Sequence, residues 1–113
     1  ARFRAGCHLL AGCADDSERA REATAAWLAF AGIAATGGPA APGYREAWQG
    51  VEDDLAAGLG DREEAALLLA LLDGIAVARL TEPGRMTAGR GRDLIDRHLA
   101  RMTRDREGGT GGR

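Results

Sequence analysis

The sequence has no lysine: all 15 basic residues are arginine, set against 17 aspartates and glutamates. The formal net charge of −2 gives no reason to expect this segment itself to bind nucleic acid, which normally needs a basic face. Aromatic residues make up only 4% of a chain that is 45% hydrophobic, so the core must come from alanine and leucine, which suits helices. β-branched residues are scarce, and no alternating apolar–polar run is long enough for a strand. The longest apolar run, Ala65 to Leu72, falls far short of the roughly 20 residues that span a membrane. No basic stretch precedes an apolar one as in a secretory leader.

Reactive residues are also thin. Cys7 and Cys13 are the only cysteines, which argues against a disulfide scaffold and fits a reducing cytoplasm. Cys7 and His8 are adjacent and would point about 100° apart on a helix. With no second pair of ligands following, no metal site is expected. Ser17 is the only serine and has no base beside it in sequence. The glycines near the C-terminus follow no strand and precede no helix, so they cradle no phosphate. No enzyme activity and no cofactor are expected.

What remains is a single all-α domain, an antiparallel bundle of about five helices. The chain is organised around Asp61 to Leu80. At 100° per residue, Leu67, Leu71, Gly74 and Ala78 fall on one side of this helix, Leu68, Leu72 and Ile75 on the next, and Leu69, Ala76 and Leu80 on a third. A helix apolar all round must be covered on more than one face, and a chain this short covers two with difficulty. A second copy of the chain is the simplest cover; a monomer whose other helices wrap the central one is the competing solution. Asp61 with Glu64 starts the helix. Pro83 and Gly84 stop it. Thr87 then caps a last helix whose apolar face is Leu94, Ile95, His98, Leu99 and Met102. So short a turn makes the two helices antiparallel neighbours, and two such hairpins form a four-helix dimer interface.

Upstream, a short first helix covers Ala1 to Cys13. A second runs from the cap Ser17 to about Ala35, with Ala20, Ala23, Trp27, Phe30, Ala31 and Ala34 inward. A third runs from about Pro42 to Leu59, with Tyr44, Ala47, Trp48, Val51, Leu55 and Leu59 inward. Gly60 is expected in the left-handed conformation that ends it. Residues 105–113 are charged and glycine-rich, and are expected to be a flexible tail after a domain covering 1–104.

Two features bear on function. Trp27, Phe30, Tyr44 and Trp48 come from consecutive antiparallel helices and can meet near one end of the bundle. They are either core packing or the wall of a pocket for an apolar or planar molecule. Asp73 lies inside the apolar helix, where a carboxylate is expensive unless it is paired. It is either a polar group in a pocket or interface, or an exposed residue on a solvated strip. Beside it Gly74, with Ala70 and Ala78, forms a small-residue seam suited to close helix approach.

The segment LLALLDGIAVARLTEPGRMTAGRGRDLIDRHLARM resembles the C-terminal end of TetR-family transcriptional repressors. AREATAAWLAFAGIAATGGPAAPGYREAWQGVEDDLA resembles the two preceding helices of the same domain. Together they cover roughly positions 17 to 103, and their order and spacing are more specific than any single motif. The resemblance implies the ligand-binding and dimerisation domain of a bacterial regulator, with DNA read by an N-terminal helix-turn-helix that this sequence does not contain. The effector pocket it implies involves Trp27, Phe30, Tyr44, Trp48, Leu68, Leu72, Asp73 and Ile75. The homodimer interface it implies involves Ala70, Gly74, Val77, Ala78, Leu94, Ile95, His98, Leu99 and Met102. The partners are then a second copy, a small apolar or aromatic effector, and operator DNA through the other domain. The competing functional reading is a stand-alone helical dimerisation module with no pocket. An enzyme using Asp73 as a base is the weakest.

Overall fold

The computed structural model describes residues 2–111, with side chains described through 106. It contains five helices: α1 Arg2–Leu10, α2 Glu18–Ala35, α3 Ala41–Leu59, α4 Arg62–Thr81 and α5 Ala88–Gly111. No strand occurs among the described residues, and the fold is the expected all-α bundle.

Local chemistry sets the helix boundaries. The Ser17 hydroxyl accepts from the Ala20 N–H at 3.1 Å and starts α2. The Asp61 carboxylate accepts from Glu63 and Glu64 N–H at 2.9 and 3.1 Å and starts α4. Thr87 accepts from Arg90 N–H at 3.1 Å ahead of α5. Gly60, at φ +74°, closes α3 in the left-handed conformation. Gly12, at φ +69°, ends α1 three residues sooner than its sequence pattern implies. At the other end, α5 continues to Gly111 instead of stopping at Met102. A helix already nucleated extends one hydrogen bond per residue without needing an apolar face. Residues 105–111 of the expected tail are therefore helical, and 112 and 113 lie outside the described residues.

The central helix is α4, which packs against each of the other four. Leu68, Leu72 and Ile75 of α4 meet Ile95 of α5, Leu55 of α3, and Cys7 and Cys13 in one enclosed core. Removing side chains of this size from water contributes about 1.5–3 kcal/mol each. Gly91 lets α5 approach: a Cβ there would overlap Cys13 Sγ and stand 3.0 Å from Ile75 Cγ2.

Burial on α4 is uneven. Leu67 (56% exposed), Ala70, Gly74 and Thr81 face outward, with Val77 half-buried beside them. Gly74 is not in close contact with another helix among the described residues, since a Cβ there would find nothing within 4 Å. The enclosed part of the candidate interface is turned the other way. Ala78 and Ile95, 5% and 0% exposed, spend their surface on the chain's own core, and Met102, 8% exposed, is covered within the chain beside the α3–α4 turn. Leu94, His98 and Leu99 remain half-buried on α5.

A polar strap ties the α1–α2 loop to the far side of the bundle. Arg79 of α4 donates from Nε to the Gly12 carbonyl at 3.2 Å and from Nη2 to Asp16 at 2.9 Å. Arg92 of α5 donates to the Cys13 carbonyl at 2.8 Å. On the adjacent face His8 and Asp96 are 2.8 Å apart, joining α1 to α5.

Candidate functional site

The four aromatic residues on α2 and α3 form one continuous ladder. Trp27 and Trp48 meet edge to face, with centroids 5.7 Å apart at 76°. Trp48 meets Tyr44 at 6.0 Å and 87°. Tyr44 meets Phe30 at 5.7 Å and 34°. Edge-to-face contact suits the negative face and positive rim of aromatic rings. Adjacent antiparallel helices set the order: residues 27 and 30 lie one turn apart on α2, residues 44 and 48 one turn apart on α3.

At the tryptophan end the ladder borders a cleft of about 280 Å³, lined by Leu9, Leu10, Ala23, Thr24, Trp27 and Trp48. Its shape follows from α2. Ala23 and Thr24 stand four and three residues before Trp27 on the same helical face and are too small to fill the space beside the indole. Across it lies α1, with Leu9 largely exposed at the rim. The Thr24 hydroxyl donates to the Ala20 carbonyl at 3.0 Å, which leaves its oxygen free to accept. Gly12 packs behind Thr24, where a Cβ would come 2.8 Å from the hydroxyl oxygen.

Two indole donors stand out. Trp27 Nε1 and Trp48 Nε1 are both closed off from solvent, with no acceptor among the described residues. A buried donor without a partner costs about 1–3 kcal/mol, and such groups are uncommon enough to need a reason.

The structure divides the eight candidate pocket residues. Trp27 and Trp48 line the cleft, and Phe30 and Tyr44 continue the aromatic ladder away from it. Leu68, Leu72 and Ile75 are enclosed in the core and present no surface to a cavity. Asp73 is half-buried and does not border this cleft. At 100° per residue it shares a strip with Leu69, Ala76 and Arg62, and Arg62 pairs with Glu52 and Asp53 of α3. Asp73 makes no hydrogen bond or ion pair among the described residues, and burial pushes its carboxyl above the usual range. Leu9, Leu10, Ala23 and Thr24 were not legible as pocket residues from aromatic content. The signal available was the small pair one turn before Trp27.

The cysteines carry no reactive site. Both are buried and unpaired. Burial pushes the Cys7 thiol up to about 11, so it stays protonated and unreactive at neutral pH. Burial also raises Cys13, against the opposing pull of Arg79 and Arg92. No group of three ligating side chains suited to a metal occurs among the described residues. No helix among them is long and apolar enough to cross a membrane. A second cleft of about 290 Å³, between the α3–α4 turn and α5, is bordered by Leu59, Gly60 and Met102 and by the charged residues Asp61, Glu64, Asp105 and Arg106. Of these, Asp61 is already occupied as the cap of α4.

No curated protein and no solved structure matches the chain. A family model does, the one described as BetI-type transcriptional repressor, C-terminal, over residues 7–104. That span takes in α2, α3 and α4 whole, the end of α1, most of α5 and both walls of the cleft, and the chain belongs to this family of TetR-type repressor C-terminal domains.

Proposed function

We propose that this chain is the effector-sensing and dimerisation part of a TetR-type transcriptional repressor, and that the cleft beside Trp27 and Trp48 is where the effector binds. The observation carrying the sensing role is the cleft itself. It is concave, mostly apolar and walled by two indoles with unused donors, the character of small-molecule sites in general.

Dimerisation rests on the outward strip of α4. Leu67, Ala70, Gly74 and Val77 form an apolar row along α4, and Leu94 and His98 remain half-buried on α5. His98 Nε2 on α5 is closed off without a hydrogen-bond partner among the described residues. A second copy laid on this face would cover Leu67, let its helix approach at Gly74, and offer His98 a partner. Operator DNA would be read by a helix-turn-helix outside this sequence. Effector in the cleft would shift the population between arrangements of the two DNA-reading heads, to the extent that it binds one arrangement better.

The test of sensing is titration with the uncharged apolar dye N-phenyl-1-naphthylamine. It should bind saturably with one site per chain, and Ala23→Trp, which fills the cleft from an exposed helical position, should abolish that site. Dye binding equal in the wild type and Ala23→Trp would place any ligand elsewhere and sink this reading.

A further inference from the structure

Resting on that reading of the cleft, we infer that its ligand is an uncharged, planar molecule of one or two rings carrying a hydrogen-bond acceptor at its edge, an aryl ketone being the simplest case. Four observations converge on this class. Among the described residues, the side chains lining the cleft are two leucines, an alanine, a threonine and two tryptophans, none of them ionisable. A charged ligand would give up hydration there with no counter-charge to replace it. The indole wall favours a flat partner that can stack or meet the rings edge-on. The volume, about 280 Å³, lies just under the usual range of ligand sites and suits a small molecule.

The fourth observation sets the polarity. The unpaired polar hydrogens at this site belong to Trp27 and Trp48, and both are donors. Thr24 has already used its own hydrogen on Ala20. The complement to two unmatched donors is an acceptor, not another donor. Both N–H groups lie below the surface of the cleft, so an acceptor reaches them only when the indoles turn outward. A ligand with that acceptor therefore binds the turned-out arrangement better than the closed one. This differential affinity is what an effector needs in order to move an equilibrium. A hydrocarbon of the same shape lacks it.

The two tryptophans are the only ones in the chain, so their indole N–H cross-peaks in a ¹⁵N–¹H spectrum report on this site alone. The full chain is titrated with four probes built on one ring: acetophenone, ethylbenzene, benzoate and trimethylanilinium. Acetophenone should move at least one indole peak downfield and saturate, with affinity about fivefold to tenfold above ethylbenzene, the worth of one hydrogen bond. Both ions should bind at least as weakly as ethylbenzene. Replacing both donors, Trp27→Phe with Trp48→Phe, should erase the preference for the ketone while ethylbenzene still binds, followed by ligand-observed saturation transfer. Where circular dichroism shows the double variant unfolded, Trp48→Phe alone should reduce the preference. Equal affinity for ketone and hydrocarbon, or an ion that binds as tightly as the ketone, overturns the assigned ligand class and leaves the cleft standing as a site. Indole peaks unmoved by every probe at millimolar concentration overturn the cleft as well.

Discussion

Arg79 and Asp16 form an ion pair whose halves live in different solvents. The arginine side chain is 7% exposed and the aspartate 74% exposed, 2.9 Å apart. Arg79 is the one buried charged residue among those described. It is held by the Gly12 carbonyl as well as by Asp16, while its own backbone carbonyl accepts from Arg21 of α2 at 3.4 Å. The pair joins the loop behind the cleft to the last turn of the central helix.

The two halves should respond unequally to removal. Arg79→Met keeps the apolar stem but strands the Gly12 carbonyl and releases the loop, at an expected cost of about 2–4 kcal/mol. Asp16→Ala removes a partner that water can partly replace, and should cost only about 1 kcal/mol. Urea unfolding of the two variants gives the comparison. Equal losses would mean that the strap depends on the exposed carboxylate rather than on the buried guanidinium.

Two glycines of the α4–α5 hairpin differ in what surrounds them, and Gly91 is the crowded one. A methyl group at position 91 meets Cys13 Sγ and Ile75 Cγ2. Gly91→Ala should therefore destabilise by about 1–3 kcal/mol despite the better helix propensity of alanine. Cys13→Ala in the same chain removes the overlapping sulfur and should recover part of the loss. The recovery appears as a coupling energy in a double-mutant cycle. Additive losses would show that α5 does not pass Cys13 as closely as described.

Gly74 is the open one. It is exposed and a Cβ there would meet nothing within 4 Å among the described residues, so Gly74→Leu should leave the subunit's own fold intact. If α4 meets its copy there, the same change forces the helices apart. Sedimentation at micromolar concentration should show a wild-type dimer and a largely monomeric Gly74→Leu protein with unchanged helicity. A wild-type monomer under those conditions would remove the dimer proposal altogether.

The contrast between these glycines marks what was legible in the sequence. Local signals were readable because their causes are local: Ser17, Asp61 and Thr87 cap the helices they precede, and Gly60 ends α3. The aromatic meeting was readable because antiparallel neighbours bring residues 27–30 opposite 44–48. Which glycine of the α4–α5 hairpin is crowded was not readable, because it depends on what passes beside it. Gly74 has the small-residue seam, yet Gly91 carries the close approach. In sequence Arg79 is a lone charge between Ala78 and Leu80. Its carbonyl partner lies 67 residues away in a loop, and no periodicity encodes that contact. Ala78, Ile95 and Met102 sat on apolar stripes, but a stripe does not say whether its cover is the same chain or another.

Asp73 supplies a pH dependence whose sign can be worked out. Its carboxyl is raised by burial, with no partner among the described residues to offset it. Between the ordinary carboxyl value of about 3.9 and the raised native value, the folded chain binds more protons at this residue than the unfolded chain does. Stability from this group is therefore fully present below the ordinary value and is lost as pH rises through the native one. Asp73→Asn removes the charge while keeping the shape, so it should raise the melting temperature at pH 7. The gap between variant and wild type should narrow steadily as pH falls toward 4, because the native aspartate is then already neutral. Comparing the two proteins at each pH cancels the opposite contributions of Asp53 and Glu82, whose carboxyls are lowered by hydrogen bonds, from Gln49 and Arg62 for Asp53 and from Arg85 for Glu82. A variant less stable than wild type at pH 7 would show that the ionised carboxylate has a favourable partner, and a second copy of the chain would be the first place to look for it.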